Sequence, residues 1–369
     1  MRQLVARWGT ATAFHLARCK SRDMAFLIGS PFSGPWTTDM SPHVSTENGV
    51  KMKAAVYDNP GPPSVLKYVD VPDPVCGPDE VLIRVEAISI EGGDLINRRS
   101  TSQVPRWVVG YAAAGTVLSV GKEVTTRAVG DKVAAFSMQG SHAELWAVAA
   151  SRTWLVPAGL DIAKAAALPI SFGSGYHSVI TRGGVREGET VLIHAAAGGV
   201  GLAAVQLARQ AGATVIAVAS GSERQSRLIE LGATFVVDRL QHDVVEEARR
   251  LTDRKGVQLV IDPVGSTLQA SLLALAPEGR LVFLGNAGGG KLDVDLWQPM
   301  QNNQTLHGVF MGSIFERPSV HGTVDDLLTA AAAGRVDVVI DRSFALEDAA
   351  KAHEYAEAAK PLGRVVMTP

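Results

Sequence analysis

The segment Val191-Leu192-Ile193-His194-Ala195-Ala196-Ala197-Gly198-Gly199-Val200-Gly201 limits the architecture of this chain more than any other. An apolar, β-branched run enters a turn built only of small residues, and an alanine-rich helical pattern follows to Gln210. Beyond it, strand patterns at 191–194, 214–219, 234–237, 257–261 and 279–284 alternate with helical patterns at 199–210, 222–231, 243–252 and 267–275. Such alternation is a series of βαβ units, which pack as a parallel, doubly wound sheet with helices on both faces. The expected class is therefore α/β. Thr190 to Ala208 carries no formal charge and nearly reaches the length of a membrane span. His194, Gln206 and the glycines in its middle make strand, turn and helix the better reading.

The flanks have a different texture. Residues 52–150 hold short β runs, such as Glu80 to Val85, Gly115 to Gly121, Asp131 to Phe136 and His142 to Val148, separated by glycines and aspartates. A small barrel or sandwich is expected there. Asp161 to Leu168 is helical, and Pro169 is expected to stop it. Residues 1–51 lack sustained periodicity. Their first 22 positions include Arg2, Arg7, Arg18, Lys20 and Arg22 and no acid. A disordered extension, or a start placed ahead of Met40 or Met52, is expected; an organellar transit segment is the alternative.

A strand feeding a small-residue turn and a helix is suited to bind a diphosphate. The backbone approaches the anion closely, and the helix start offers unpaired N–H groups and partial positive charge. Against the pattern Gly-x-Gly-x-x-Gly, Ala196 takes the first position, Gly198 the second and Gly201 the third; Ala197, Gly199 and Val200 complete the turn. A dinucleotide is the expected ligand, and a purely structural turn the alternative. The next strand ends at Ser220, where an NAD-preferring site usually has an acid. With Arg224 and Arg227 close behind, the expected cofactor is NADPH, its 2′-phosphate held by Ser220 and Arg224. Solvated helix charges are the competing reading of the two arginines.

Composition removes other classes. The 369 residues suit two or three domains. Lys plus Arg is 35 and Asp plus Glu 37, a net charge of −2, which gives no global field for nucleic acid. Two cysteines, Cys19 and Cys76, support neither a disulfide framework nor a four-thiolate zinc site. This fits a reducing, cytoplasmic setting. No membrane or nucleic-acid partner is expected.

Several ordered motifs make the chain from about Met52 onward resemble the medium-chain dehydrogenase/reductase superfamily, in its quinone oxidoreductase (zeta-crystallin-like) branch. They include Val109-Gly110-Tyr111-Ala112-Ala113-Ala114-Gly115, Gly130-Asp131-Lys132-Val133, Ala165-Ala166-Ala167-Leu168-Pro169 and the turn itself. Asp262-Pro263-Val264-Gly265, Gly279-Arg280-Leu281-Val282 and Gly363-Arg364-Val365-Val366 follow. The resemblance implies a GroES-like β domain formed by residues 52–172 and 311–369, a Rossmann domain over 173–310, a cofactor in the cleft between them, and a homodimer or homotetramer.

Zinc alcohol dehydrogenases of this superfamily carry Cys-x-x-Asp where this chain has Glu91-Gly92-Gly93-Asp94, and Gly-His-Glu where it has Gly110-Tyr111-Ala112. Their third catalytic ligand falls near Ile170, and their four-cysteine site has no counterpart. No metal is therefore expected. The resemblance also brings Ser174, Asn286, Phe310, Lys360 and Arg364 to the cofactor; a helix cap, core packing and a surface charge are the plainer readings of Ser174, Phe310 and Lys360. Glu91, Asp94 and Tyr111 are the candidate acids, with Glu91 alternatively a surface loop charge. His142 and His177 read as packing or surface histidines.

Without a Lewis acid, an acceptor that already delocalises negative charge is easier to reduce than an alcohol is to oxidise. The expected reaction is NADPH-dependent hydride transfer to a quinone or conjugated carbonyl, with Glu91 and Tyr111 as candidate catalytic groups. An enoyl or alkenal double-bond reductase, or a nucleotide-binding module without turnover, are the alternatives.

Overall fold

The computed structural model describes residues 51–359 and 361–369. The expected extension, apart from Lys51, and Lys360 lie outside the described residues. The first half contains β1 (Lys51–Tyr57), β2 (Lys67–Pro72), β3 (Glu80–Ser89), α1 (Gly92–Ser100), β4 (Trp107–Val108), β5 (Ala112–Val120), β6 (Lys132–Phe136), β7 (Leu145–Ala149), β8 (Thr153–Leu155) and α2 (Ile162–Tyr176). The second contains β9 (Thr190–Ile193), α3 (Gly199–Gln210), β10 (Thr214–Val218), α4 (Ser222–Glu230), β11 (Phe235–Val237), α5 (Val244–Leu251), β12 (Val257–Asp262), α6 (Leu268–Ala274), β13 (Leu275–Phe283), α7 (Trp297–Gln301) and β14 (Thr305–Gly308). The chain ends with α8 (Pro318–Ala332), β15 (Ile340–Ala345), α9 (Ala349–Ala358) and β16 (Arg364–Thr368).

Six strands form a parallel sheet in the order β11-β10-β9-β12-β13-β14. Its inner strands β10, β9 and β12 are apolar on both faces because both faces are covered. Val191, Ile193, Val215, Ala217, Leu259 and Ile261 pack on one side with α2, α3 and α8. Leu192, Ile216, Val218, Val260 and Leu281 pack on the other with Ala248, Leu268 and Leu272 of α5 and α6. The strand order reverses between β9 and β12. A crevice at the carboxyl ends of those two strands is where such sheets take ligands.

A second large sheet is mostly antiparallel, in the order β15-β16-β3-β5-β6-β8 with β7 also on β3, and β2-β1-β4 form a small third one. Val81, Ile83 and Val85 of β3 point inward while Arg84 faces out, the two-residue alternation of a half-buried strand. Val366 and Met367 of β16 pair with Ser89 and Ile88 of β3, so the C-terminal tail completes the sheet begun near residue 80. Together with the parallel sheet this is a GroES-like domain joined to a Rossmann-like domain. Among the described residues no helix is long and apolar enough to cross a membrane.

Pro169 does not end its helix: α2 runs from Ile162 through it to Tyr176. A proline costs one i→i−4 bond and crowds the carbonyl four residues back. Here Ala165, Ala166 and Ala167 favour helix, and α2 is buried against strands and helices of both domains, so packing overrides the break.

Candidate cofactor and active site

The small-residue turn sits where the strand order reverses. Ala195 takes φ of 48°, an uncommon value for a residue with a side chain. Gly198 N–H donates to the Ala195 carbonyl at 2.9 Å, and Leu202 N–H to the Gly198 carbonyl at 2.8 Å. The first turn of α3 therefore keeps N–H groups free of intrahelical partners. A Cβ at Gly201 would fall into the Ala195 carbonyl oxygen and lie 2.6 Å from the Ala196 Cα, so only glycine lets α3 start this close to β9. Across the crevice, Asp262 fixes the loop after β12. Its Oδ1 accepts from Val264 and Gly265 N–H at 2.8 and 3.0 Å, and its Oδ2 from the Thr267 and Ser271 hydroxyls, both at 2.7 Å. His194, at the end of β9, is buried with Nε2 unpartnered, and burial lowers its pKa against the opposing pull of Asp262.

At the end of β10, Arg224 turns back and donates to the Ser220 carbonyl at 2.8 Å, so the guanidinium stands beside that strand end. Arg227 does not join it. It pairs with Asp337 at 2.7 Å and Glu230 at 2.8 Å. A residue the sequence reading missed stands level with Ser220. Val218 pairs with Val237, so Arg239 is as far past β11 as Ser220 is past β10, and it is exposed. The signal available was a basic residue two positions beyond the next strand.

The tail brings Arg364 to the same turn. Gly363 N–H donates to the Ala197 carbonyl at 2.8 Å. Arg364 lies so close to α3 that a Cβ at Gly199 would collide with its Nε. That Nε donates to the Ser171 hydroxyl at 2.9 Å, a contact no local pattern announces. Its far end forms an ion pair with Glu91.

Glu91 is thus not a surface charge: it is 1 % exposed. Oε1 accepts from the Ser89 hydroxyl at 2.7 Å, while Oε2 faces the Arg364 guanidinium. Burial raises the carboxyl to about 7, with Arg364 and Ser89 opposing the rise. Asp94, 0 % exposed, accepts the Glu91 N–H at 2.8 Å, and its Oδ1 has no partner. Burial, then the charge of Glu91, holds its carboxyl well above the usual range. Tyr111 packs edge-on against Phe136, and its hydroxyl accepts from Asn97 Nδ2 at 2.7 Å. Burial, then Asp94, pushes that phenol up, so it stays protonated. Among the described residues no group of three metal-ligating side chains comes together.

A cavity of about 990 Å³ opens beside the ends of β13 and β14. Asn286 and Phe310 line it, with His177, Arg182 and Arg317, and no carboxylate does. Asn286 donates to the Gly290 carbonyl at 2.9 Å while its buried Oδ1 is unpartnered. Phe310 is not core: it is 65 % exposed. Ser174 is buried within α2 and does not line this cavity, and neither do Glu91 and Tyr111. His142, by contrast, is fully buried with Nε2 3.1 Å from that of His353.

Comparison with known proteins agrees with this geometry. The family described as alcohol dehydrogenase GroES-like domain matches residues 77–158, and the one described as zinc-binding dehydrogenase matches residues 199–329. A quinone oxidoreductase of Pseudomonas aeruginosa is 34% identical over 315 residues, 84% of this chain and 97% of that protein. The human synaptic vesicle membrane protein VAT-1 homolog is 30% identical, with 80% of each chain covered. The crystal structure of Escherichia coli quinone oxidoreductase complexed with NADPH superposes with a TM-score of 0.80 at 28% identity, over 86% of this chain and 99% of that one.

Proposed function

The chain belongs to the medium-chain dehydrogenase/reductase superfamily, in its zinc-independent quinone oxidoreductase branch, and is an NAD(P)-dependent oxidoreductase; from that premise we propose that it prefers NADPH and passes a hydride to a quinone or conjugated carbonyl. The observation that carries this is the glycine-dependent approach of α3 to β9 at the point of strand reversal. The residues present fit a dinucleotide. The cradle at Gly201 would be filled by any side chain, the first turn of α3 offers its N–H groups, and the Asn286 Oδ1 lacks a partner. Ser220, Arg224 and Arg239 would hold the 2′-phosphate, since no acid stands at the end of β10 to repel it.

When bound, the reduced nicotinamide supplies the hydride. The chain supplies placement, charge and exclusion of water. The cavity beside Asn286 and Phe310 has two arginines, a histidine and no carboxylate in its lining, which suits an acceptor that gains negative charge on oxygen as it is reduced. Tyr111 keeps its proton on but stands outside that cavity, so in this reading it does not touch an acceptor held there. Glu91 is sealed behind Arg364 and acts as a positioning residue. Exposed Leu306 on edge strand β14, with Trp297 and Met300 on α7, offers the surface for a homodimer.

A panel of quinones against enals and enones, followed by NADPH consumption, tests the reaction. Turnover with quinones supports the first reading, and turnover confined to enals and enones makes the chain a double-bond reductase. Tight NADPH binding with no acceptor-dependent oxidation overturns both.

A further inference from the structure

Arg364 places a cation at the unfavourable end of a helix. Its guanidinium lies over Gly199 in the first turn of α3, where the helix itself is partly positive. Glu91 offsets that charge, and the Ser171 hydroxyl and Ile90 carbonyl accept from Nε and a terminal nitrogen at 2.9 and 3.4 Å. A diphosphate held by the same helix turn would lie within reach of the same guanidinium.

Resting on the dinucleotide reading above, we propose that Arg364 is a cation shared between two anions. It neutralises Glu91 in the free chain and the diphosphate in the loaded one, and the Glu91–Asp94 pair takes a proton from solvent as the guanidinium is drawn away. The charge balance requires the proton. If both carboxylates stayed ionised with Arg364 withdrawn, two negative charges would remain on groups 1 % and 0 % exposed. Protonating one is the cheaper outcome. The pair is built to accept it: Arg364 is the cation facing Glu91, and Asp94 Oδ1 is buried and unpartnered. The groups facing Glu91 are Arg364 from β16, Asp94 from α1 and the Ser89 hydroxyl from β3, with Tyr111 next to Asp94. Of these Arg364 is the cation, so its displacement leaves the pair without a counter-charge. One proton enters per dinucleotide bound and one leaves on release.

Because burial has already raised Glu91 to about 7 beside Arg364, the uptake belongs to the range above that value. Calorimetric titration of the full chain with NADH, which has no 2′-phosphate to titrate, in buffers of differing ionisation enthalpy at pH 6 and pH 8 measures it directly. The expected result is uptake approaching one proton at pH 8 and little at pH 6, with Kd rising by up to about tenfold per pH unit above 7. Glu91→Gln and Arg364→Gln should bind NADH with that uptake abolished. Should either variant fail to fold, the wild-type titration decides alone. Binding with no uptake at pH 8, or uptake that persists in Glu91→Gln, overturns the shared cation and leaves the dinucleotide site standing. Failure of both NADH and NADPH to bind removes the site itself, and the shared cation with it.

Discussion

The turn at 195–201 and the cluster around Glu91 touch each other, at Gly199 and Arg364, yet they are made in opposite ways. The turn is consecutive backbone: an Ala195 with positive φ, glycines that permit close approach, and N–H groups at a helix start. It attracts an anion without burying any formal charge. The cluster is side chains from three separate segments, Ser89–Asp94, Ser171 and Arg364, and it buries two carboxylates around one guanidinium. A site of the first kind is insensitive to pH and intolerant of a methyl group. A site of the second kind responds to protons, because its charges are buried.

That contrast is open to experiment. The largest effect belongs to the turn. Gly201→Val drives a side chain into the Ala195 carbonyl, so NADPH binding should weaken by about 100-fold, the roughly 3 kcal/mol of an overpacked helix end. Near-wild-type affinity in a fluorescence titration would show that close approach is unimportant. Next, Arg224→Ala should weaken NADPH by ~10-fold or more while leaving NADH unchanged, because a charge-assisted contact is worth about 1.5–3 kcal/mol. Equal loss for both cofactors would remove the 2′-phosphate assignment.

Buried titratable groups give the third test, and the signs separate them. Glu91 has a raised folded value, about 7 against 4.5, so its contribution is present below 4.5 and lost as pH rises to 7. The stability of Glu91→Gln relative to wild type should therefore increase by about 1.4 kcal/mol per pH unit across that window. His142 is lowered by burial to about 3, so its contribution is present above 6.5 and lost as pH falls. His142→Asn should gain on wild type as pH falls from 6.5, the opposite slope. Chemical denaturation at several pH values reads both, and parallel curves for wild type and variants would contradict the burial of these groups. The smallest effect is expected at Arg227: its guanidinium is already engaged by Asp337 and Glu230, so Arg227→Ala should change the NADPH Kd by less than about twofold.

The same contrast explains what the amino-acid pattern reveals. The parallel sheet is legible because each βα unit is local. Strand 191–194 is apolar, the turn contains only small residues, and Asp243 caps α5 in plain view. Ser220 and Arg224 are legible for the same reason, being four residues apart. Glu91 is not. Nothing within ten residues of it says that a tail 273 positions later will bury it under a guanidinium, and it reads equally well as a loop charge. Arg239 was missed because its place beside Ser220 follows from strand register. Pro169 misled because local chemistry favours a stop there, and only the packing of α2 between two domains outweighs it.

The claim beneath all of this is that the bend between β9 and α3 holds the diphosphate of a phosphorylated pyridine dinucleotide. Isothermal titration of the folded chain with NADPH and with NADH tests it most directly. The account predicts one NADPH per chain, bound at least about tenfold more tightly than NADH. No heat of binding with either dinucleotide would contradict it.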